Sequence, residues 1–307
     1  MNKINALFQR KIVNPIINSH YFMDHFLWIR TQIIWKRKYG HFIDKNHLLN
    51  INEKIQWLIC FGDTSLWGKL ADKIAVRDFL KENGYGNLLS TVYGTWQNAE
   101  DIDYDMLPDK FVLKCNHDSG SYHIINKTGG AIDKSFINKD LNEHLKIKYG
   151  YERGEMYYNS IKPIIMAEEF LENPKGYFSK TLVDYKVWCF NGIPHCICVY
   201  YDRKKDTVKM DVYDTKWNLR TDAVKYNSHY QKGDLVVPKP YNFDKMLDVA
   251  SKLSKGFPEV RVDFYEVNNR LLFGEMTFAT SCGHIDNYTD SFLKELGDCC
   301  IIPKLNE

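Results

Sequence analysis

The chain has 307 residues, of which 44% are hydrophobic and 14% aromatic, enough for a sizeable core and two or three packed subdomains. This composition excludes a disordered chain. The formal net charge is only +2, so charge alone gives little support to a general nucleic-acid-binding role. The eight cysteines have no regular spacing, and the N-terminal sequence lacks a signal-peptide pattern, which together predict reduced thiols in a cytoplasmic protein.

Residues 1–105 are predicted to be mainly helical. In the segment NINEKIQWLICFG, apolar residues recur at helical spacing after Asn52, which is the expected N-cap. The segment SLWGKLADKIAVRDFLKENGYG continues with a similar pattern and ends at two glycines. The pattern then changes at Lys110, where strand-like segments separated by turns predict an α+β arrangement of two adjacent lobes.

The aromatic and basic segment Phe26–Gly40 has two interpretations. The favoured one is a helix packed on the domain with its basic residues in solvent, because amphipathic helices usually face a core. The other is peripheral contact with an anionic membrane surface. No apolar stretch reaches the roughly 18 residues that indicate a transmembrane helix.

Two acids, Asp263 and Glu275, lie in strand-like segments of VRVDFYEVNNRLLFGEMTF. Because strand side chains alternate, a strict two-residue loop would pair Val262 with Glu275 and separate the acids. A three-residue loop, or two residues plus a bulge, would place Asp263 opposite Glu275. Facing carboxylates repel unless a cation bridges them, and oxygen ligands suit Mg²⁺. The alternative is a pair of solvated acids on an edge hairpin, and the motif alone does not decide between them.

In the bridged arrangement, Val262 and Phe264 are expected to face the core while Arg261 and Asp263 face a cleft. Arg261 would then lie close enough to Asp263 to keep its carboxylate ionised. Substitution of either acid by its amide is expected to abolish turnover and to leave the fold intact, because neither change removes buried apolar area.

Lys114 ends an apolar strand and is followed by a Ser/Gly turn from His117 to Ser121. Backbone N–H groups in such a turn can bind phosphate oxygens, and a lysine beside the turn supplies charge. The segment is not a Walker A motif, and an ordinary hairpin turn is the favoured interpretation of this motif by itself. The turn is expected to be mobile without nucleotide, because its small polar residues bury little apolar area.

Two further segments are weak when taken singly. Pro163–Glu172 is an apolar strand that ends in two acids; it can offer backbone groups to an adenine edge, or it is a strand end with solvated acids. Asp184 and Lys186 share a strand face, with Arg203 later in the chain. A positive pair there would hold phosphate, and a surface salt bridge of little energetic value is the alternative.

In their order along the chain, these segments resemble the ATP-grasp superfamily. The chain looks most like its teichuronopeptide-biosynthesis (TupA-like) branch, and the resemblance extends over roughly Asn52 to Phe278. The segments that carry it are NEKIQWL, ADKIAVRDFL, FVLKCNHDSGS, DYKVWCFNG and VRVDFYEVNNRLLFGEMTF.

The resemblance implies an ATP-grasp fold in the α+β class, with ATP and Mg²⁺ held between two α+β lobes. Residues 1–105 would form a mainly helical N-terminal region in place of the usual acceptor-binding domain. Residues 106–182 would form the lid subdomain, and residues 183–307 the C-terminal subdomain with the metal-binding hairpin.

The resemblance also implies roles for single residues. Those expected at the phosphates, adenine and ribose of ATP are Lys73, Lys114, His117, Ser119, Gly120, Ser121, Glu168, Phe170, Leu171 and Asp184. Those expected beside the transferred phosphate are Lys186, Arg203 and Arg261. The expected metal ligands are Asp263, Glu275 and Thr277, although the family usually has asparagine at the last position and a hydroxyl is the weaker ligand.

The implied activity is ATP-dependent ligation of a carboxylate and an amine through an acyl phosphate, in the synthesis of a bacterial surface polysaccharide. The expected partners are ATP, a carboxylate-bearing sugar or glycan precursor and an amino compound, without nucleic acid. The expected location is the cytoplasm, including the inner face of the membrane. The alternatives are an ATP-dependent kinase or glycosyltransferase of the same pathway, and a non-catalytic glycan-binding protein.

Overall fold

The computed structural model of the chain describes residues 9–304. A π-helical turn at Gln9–Val13 precedes the first α-helix. The α-helices are α1 (Asn14–Ile17), α2 (His20–Tyr39), α3 (Ile51–Phe61), α4 (Trp67–Ala71), α5 (Ala75–Glu82), α6 (Lys134–His144), α7 (Tyr149–Arg153), α8 (Phe243–Leu253) and α9 (Asp290–Cys299). The strands are β1 (Val92–Trp96), β2 (Lys110–Cys115), β3 (Tyr122–Asn126), β4 (Ile165–Glu169), β5 (Asp184–Phe190), β6 (Ile193–Tyr201), β7 (Val208–Asp214), β8 (Tyr230–Gln231), β9 (Val260–Val267) and β10 (Arg270–Thr277).

The helices before β1 agree with the predicted helical region, with two corrections. The N-cap of α3 is Asn50, whose side chain accepts a hydrogen bond from the Glu53 N–H, so the prediction of Asn52 was wrong. Asn52 instead lies buried inside α3 and donates to the Ile285 carbonyl. The second helical pattern is divided into α4 and α5, because Asp72 adopts an extended conformation and caps Ile74 with its carboxylate.

Helix α2 begins at Ser19, which caps Phe22, and ends at Gly40 in the left-handed conformation that favours glycine. The helix buries Met23 and Trp35. This burial agrees with the favoured interpretation, a helix packed on the domain. Within residues 9–304, no helix is both long enough and apolar enough to cross a membrane.

The first sheet has four antiparallel strands in the order β1-β4-β2-β3. Its first strand, β1, lies within residues 1–105 and was not predicted, so the sheet begins before the expected start of the lid subdomain at residue 106. A small core on this sheet joins Phe111, Leu113 and Ile165 to Leu141 of α6. This sheet, with α6, forms the lid lobe.

The second sheet has six strands in the order β10-β9-β5-β6-β7-β8, and only its last pair is parallel. A larger core packs this sheet against α3, α4, α5, α8 and α9. Val262 and Phe264 of β9 lie in this core, as predicted from the alternation of side chains. The two sheets with their separate cores give the two α+β lobes that the sequence predicted.

Candidate functional site

The β9–β10 hairpin places its two acids opposite each other. Its loop has only two residues, Asn268 and Asn269, both with positive φ as in the tight turns that suit twisted strands. The register then shifts by one at Gly274, so that Asp263 pairs with Glu275. Of the two arrangements expected to bring the acids together, the hairpin has the two-residue loop plus a bulge.

Asp263 is enclosed by cations. Its side chain is only 1% exposed, and Arg261 donates to it from Nε and Nη2 at 2.7 and 2.9 Å. Lys186 of the neighbouring strand β5 donates to Oδ2 at 2.5 Å, and its Nζ also lies 2.6 Å from Asp184. Burial raises the pKa of Asp263, but Arg261 and Lys186 outweigh burial and hold that pKa below its ordinary value.

The same arginine joins the other two predicted metal ligands. The Nη2 atom of Arg261 lies 3.6 Å from Glu275 Oε1 and donates to Thr277 Oγ1 at 3.1 Å. In contrast to Asp263, the Glu275 side chain is 47% exposed. Both carboxylates therefore face one side of the hairpin, where Arg261 contacts each of them.

The donor set suits Mg²⁺ in its chemistry, because it consists of two carboxylates and a hydroxyl. The two acids differ, however, in their readiness to bind a metal. Both oxygens of Asp263 already accept hydrogen bonds from cations, whereas Glu275 is open to the cleft. Glu275 therefore fits as the accessible ligand, and Asp263 fits only if it shares its oxygens with Arg261 and Lys186.

Lys114, at the end of β2, forms a salt bridge with Glu168 of the adjacent strand β4. Ser90 donates to the same carboxylate at 2.5 Å, and Arg77 lies 3.9 Å away. Burial raises the pKa of Glu168, but Lys114 and the other donors hold it below its ordinary value. The two residues that the sequence assigned to phosphate and adenine thus form one charged pair.

Lys73 lies in the connection between α4 and α5 and donates to the Asp118 carbonyl at 2.5 Å. Burial lowers the pKa of Lys73, and the nearby charge of Lys114 lowers it further. Two lysines from separate elements therefore lie close enough for their charges to interact. An anion bound between the two ammonium groups would offset their electrostatic repulsion.

The turn from His117 to Ser121 is less open than predicted. His117, Asp118 and Ser121 are buried, and only Ser119 and Gly120 are exposed. Asp118 accepts hydrogen bonds from the Ser121 hydroxyl and from His144 of α6, while His117 contacts the Ile147 carbonyl. The expectation that few contacts hold this whole turn was wrong, because α6 and the segment after it pack on its first half.

A cleft of about 440 Å³ lies between the two lobes. Its walls include eight of the predicted site residues: Lys73, Lys114, Ser119, Gly120, Ser121, Arg261, Glu275 and Thr277. Four more lie behind these residues in the charged contacts described above, namely Asp184, Lys186, Asp263 and Glu168.

The other four predicted residues do not line this cleft. His117 is buried. Phe170 lies near Lys110, with the ammonium 5.7 Å from its ring centre, and its neighbour Leu171 is half-buried. Arg203 is exposed in the connection between β6 and β7, where its backbone N–H donates to Thr181.

Comparison with known families gives one match of high coverage. The profile of the TupA-like ATPgrasp family matches residues 53–301, which is most of the chain. The chain belongs to the TupA-like ATP-grasp family. Its fold is therefore the ATP-grasp fold, as the order of motifs predicted. A comparison with curated proteins found no significant match.

Solved structures similar to this TupA-like ATP-grasp chain include two kinds of ligase. D-alanine–D-alanine ligase from Bacillus anthracis has 14% identity and a TM-score of 0.37, with 69% of this chain and 57% of the ligase covered. The ATP-grasp ligase PsnB in complex with a minimal precursor has 9% identity and a TM-score of 0.40, with 97% and 77% covered. This chain spans just over half of the length of the first ligase.

The structure adds residues to the cleft of this TupA-like ATP-grasp protein that the sequence did not indicate. They are Tyr149, Arg153, Glu155, Tyr158, Ser281 and Cys282. Glu155 is buried, accepts a hydrogen bond from the Tyr157 hydroxyl at 2.7 Å, and has its pKa raised by burial to about 7. No periodic pattern in the sequence marks Glu155. Ser281 and Cys282 come only a few residues after β10, so their position in the chain could have indicated that they lie near the cleft.

Proposed function

We propose that this protein is an ATP-dependent carboxylate–amine ligase that works through an acyl phosphate, with Mg-ATP bound in the cleft between its lobes. One observation carries the proposal. The cleft brings Lys114 and the exposed Ser-Gly turn of the lid lobe, with Lys73 of the α4–α5 connection, together with an arginine, an accessible glutamate and a threonine on the β9–β10 hairpin. Cations together with oxygen ligands for a metal suit a magnesium-bound polyphosphate.

The part of the cleft around Lys73, Lys114 and the Ser-Gly turn would bind and orient the phosphates. Lys73 and Lys114 supply positive charge, and the exposed backbone at Ser119 and Gly120 supplies N–H donors. The pairing of Lys114 with Glu168 fixes the position of its ammonium before nucleotide arrives. We assign the strand end from Glu168 to Leu171 to the adenine, with Asp184 on the ribose side.

On the hairpin side, Glu275, with Asp263 and Thr277 beside it, would hold Mg²⁺, which supplies charge neutralisation for the transferred phosphate. Arg261 would keep Asp263 ionised and present its guanidinium to the same phosphate. We assign Lys186 and Arg203 to supporting positive charge on this side. Most of the protein's contribution is then positioning and electrostatic stabilisation.

The proposed reaction has two steps. A carboxylate oxygen of the acceptor attacks the γ-phosphorus, the bond to the β-phosphate oxygen breaks, and ADP leaves. The amine nitrogen then attacks the acyl carbon, and inorganic phosphate leaves with the oxygen it acquired. The amine must lose protons during the second step, and Glu155 is suited to accept one because its raised pKa lies close to neutral pH.

The wider biological assignment rests on family analogy. We propose that the acceptor is a carboxylate-bearing sugar or glycan precursor, and that the protein serves surface polysaccharide synthesis in the cytoplasm or at the inner face of the membrane. Exposed Tyr21 and Ile29 on α2, with the basic residues at its C-terminal end, support such a membrane contact.

The products formed from ATP test the proposal. We expect ADP and inorganic phosphate in equal amounts when ATP, Mg²⁺, a uronic acid and an amine are supplied together. Formation of ADP without phosphate would identify a kinase instead. Consumption of a nucleotide sugar without ATP would identify a glycosyltransferase, and the absence of ATP binding would exclude the proposal.

A further inference from the structure

A second cleft of about 320 Å³ adjoins the first. Its lining includes Arg30 of α2, Gln56 of α3, Arg153 at the end of α7 and His284 after the hairpin. Arg153, Ser281 and Cys282 line both clefts, so the two share a wall. The second cleft thus joins the N-terminal helical region to the predicted nucleotide site.

The shared wall begins next to the phosphate end of the first cleft. Thr280 lies directly before Ser281, and its hydroxyl is 3.5 Å from Nη1 of Arg261. Arg261 in turn contacts both Asp263 and Glu275. A group bound in the second cleft would therefore lie near the place expected for the γ-phosphate, away from the adenine side.

The second cleft has an excess of positive charge with few internal partners. Within residues 9–304, the arginine salt bridges belong to four other residues: Arg77, Arg220, Arg261 and Arg270. Arg30 and Arg153 therefore form no salt bridge in the described chain, and the charge of Arg153 acts to lower the pKa of Glu155 without overcoming the effect of burial. Among residues 9–304, the Arg30 side chain donates a hydrogen bond to the neutral side chain of Asn18, and burial lowers the pKa of Arg30. Glu152 also lines the cleft, and both Glu152 and Arg153 are exposed.

The backbone around the two arginines is held in a specific shape. Ser281 and Cys282 both adopt left-handed conformations, with φ of 52° and 49°, which cost energy for residues with side chains. Gln56 donates to the Cys282 carbonyl, and the Cys282 thiol contacts the Arg153 carbonyl at 3.1 Å. A Cβ atom at Gly154 would lie only 2.7 Å from Arg30 Nη1, so this glycine lets the guanidinium approach.

We propose that this second cleft binds the acceptor, a monosaccharide-sized carboxylate, through Arg30 and Arg153. This inference rests on the proposed ligase function. A guanidinium without a carboxylate partner binds a carboxylate by two parallel charge-assisted hydrogen bonds. The volume lies near the lower end of small-molecule sites, which begin at about 300 Å³. The helical N-terminal region, through Arg30, then takes part in acceptor binding.

The test uses D-glucuronate as the probe and D-glucose as its uncharged counterpart. Calorimetry on the full chain, with Mg²⁺ and a non-hydrolysable ATP analogue present, should show binding of glucuronate and none of glucose. Arg30→Gln and Arg153→Gln should each weaken glucuronate binding by about tenfold or more, the size expected for one charge-assisted contact. Arg37→Gln is the matched control, because Arg37 lies on the same helix outside both clefts and should leave binding unchanged.

Two outcomes would overturn the inference: no glucuronate binding by the unmodified protein, or binding by both arginine variants that is as tight as that of the unmodified protein. Direct titration of Arg30→Gln with ATP separates this inference from the proposed function, because Arg30 does not line the nucleotide cleft and ATP affinity should stay the same. Arginine-dependent glucuronate binding without any ATP turnover would contradict the ligase alone. If carboxylate-dependent ATP turnover is the same in Arg30→Gln as in the unmodified protein, the acceptor role of the second cleft is contradicted, but the ligase function is not.

Discussion

The two hairpins that face each other across the cleft use charge in different ways. In the β2–β3 hairpin of the lid lobe, Lys114 has one acidic partner in a partly exposed setting, and the pairing of the strands is continuous. In the β9–β10 hairpin, Asp263 is buried between Arg261 and Lys186, and a bulge alters the pairing. A partly exposed charge such as Lys114 is available to a ligand, whereas a buried, paired charge such as Asp263 also stabilises the fold.

This difference separates binding from stability. Removing one member of a buried ion pair leaves its partner uncompensated in a medium that solvates it poorly, which is costly. The Lys114 and Glu168 side chains are 25% and 18% exposed, so removing one charge leaves the other in partial contact with water and costs the fold less. Substitutions in the two hairpins should therefore divide into those that unfold the protein and those that only weaken its ligands.

The largest expected effect is that of Asp263→Asn on the free energy of unfolding. The change removes the negative charge between Arg261 and Lys186, so we expect a loss of about 3–5 kcal/mol. Urea unfolding monitored by circular dichroism measures it. This expectation differs from the sequence-based one, in which the variant keeps its fold intact, because the sequence argument counted only apolar area and not the two cations that enclose the carboxylate.

Glu275→Gln is the matched control for Asp263→Asn. The two acids face each other on paired strands, but Glu275 is 47% exposed and should lose well under about 1 kcal/mol of stability. Its loss should instead abolish Mg-ATP turnover. Equal destabilisation by the two variants would contradict the distinction between a structural acid and an accessible ligand.

The next effect concerns Glu155, a buried cleft carboxylate that forms no salt bridge within residues 9–304. Its pKa is raised from 4.5 to about 7, so the folded state holds the proton longer than the unfolded state. Stability must then fall as pH rises from the ordinary value to the raised value, by about 3 kcal/mol in total. Asp263 changes the stability in the opposite direction with pH, because its lowered pKa contributes stability that is lost as pH falls.

Glu155→Gln should remove this pH dependence. Urea unfolding of both proteins at about pH 5 and about pH 8 gives the comparison, since only the unmodified protein should lose the Glu155 contribution between the two conditions. Asp298→Asn provides a control on an exposed acid. If the difference in stability between the protein and Glu155→Gln is the same at both pH values, the raised pKa is wrong.

A smaller effect is expected for Lys114→Ala, and on ATP affinity rather than on the fold. Loss of one charge-assisted contact to the triphosphate should weaken binding by roughly 1.5–3 kcal/mol in calorimetry. Lys110→Ala is the matched control, because Lys110 lies on the same strand and its partner Glu172 is exposed. Unchanged ATP affinity in Lys114→Ala would exclude a phosphate role for this lysine.

The sequence predicted those parts of the site that depend on neighbours in the chain. Alternation along β9 and β10 predicted that Asp263 and Glu275 pair only if the loop has three residues or two plus a bulge, and the structure has the two-residue turn and the bulge. The position of Lys114 at the end of an apolar strand was equally local. The shared face of Asp184 and Lys186 followed from the same alternation.

The rest depended on contacts between distant residues. The burial of His117 and Asp118 requires His144 and Ile147, which lie about one helix further along. Strand β1 is short and contains a glycine, so its own sequence did not separate it from a loop; its pairing with β4 decided its structure. A local sequence pattern does not predict charge pairing across sheets or the packing of helices on loops.

The smallest expected effect is that of Gly274→Ala, which tests the residue at the bulge. Of the two hairpins, only β9–β10 has a bulge, and the bulge aligns Glu275 with Asp263. A Cβ atom at position 274 would lie 3.1 Å from the Asp263 carbonyl oxygen and 3.2 Å from the Tyr265 ring. The ring can turn slightly, but the strand backbone cannot move without disturbing the ladder, so we expect a loss of about 1 kcal/mol in urea unfolding. A more stable Gly274→Ala variant would show that the bulge tolerates a side chain and that glycine is not what aligns the two acids.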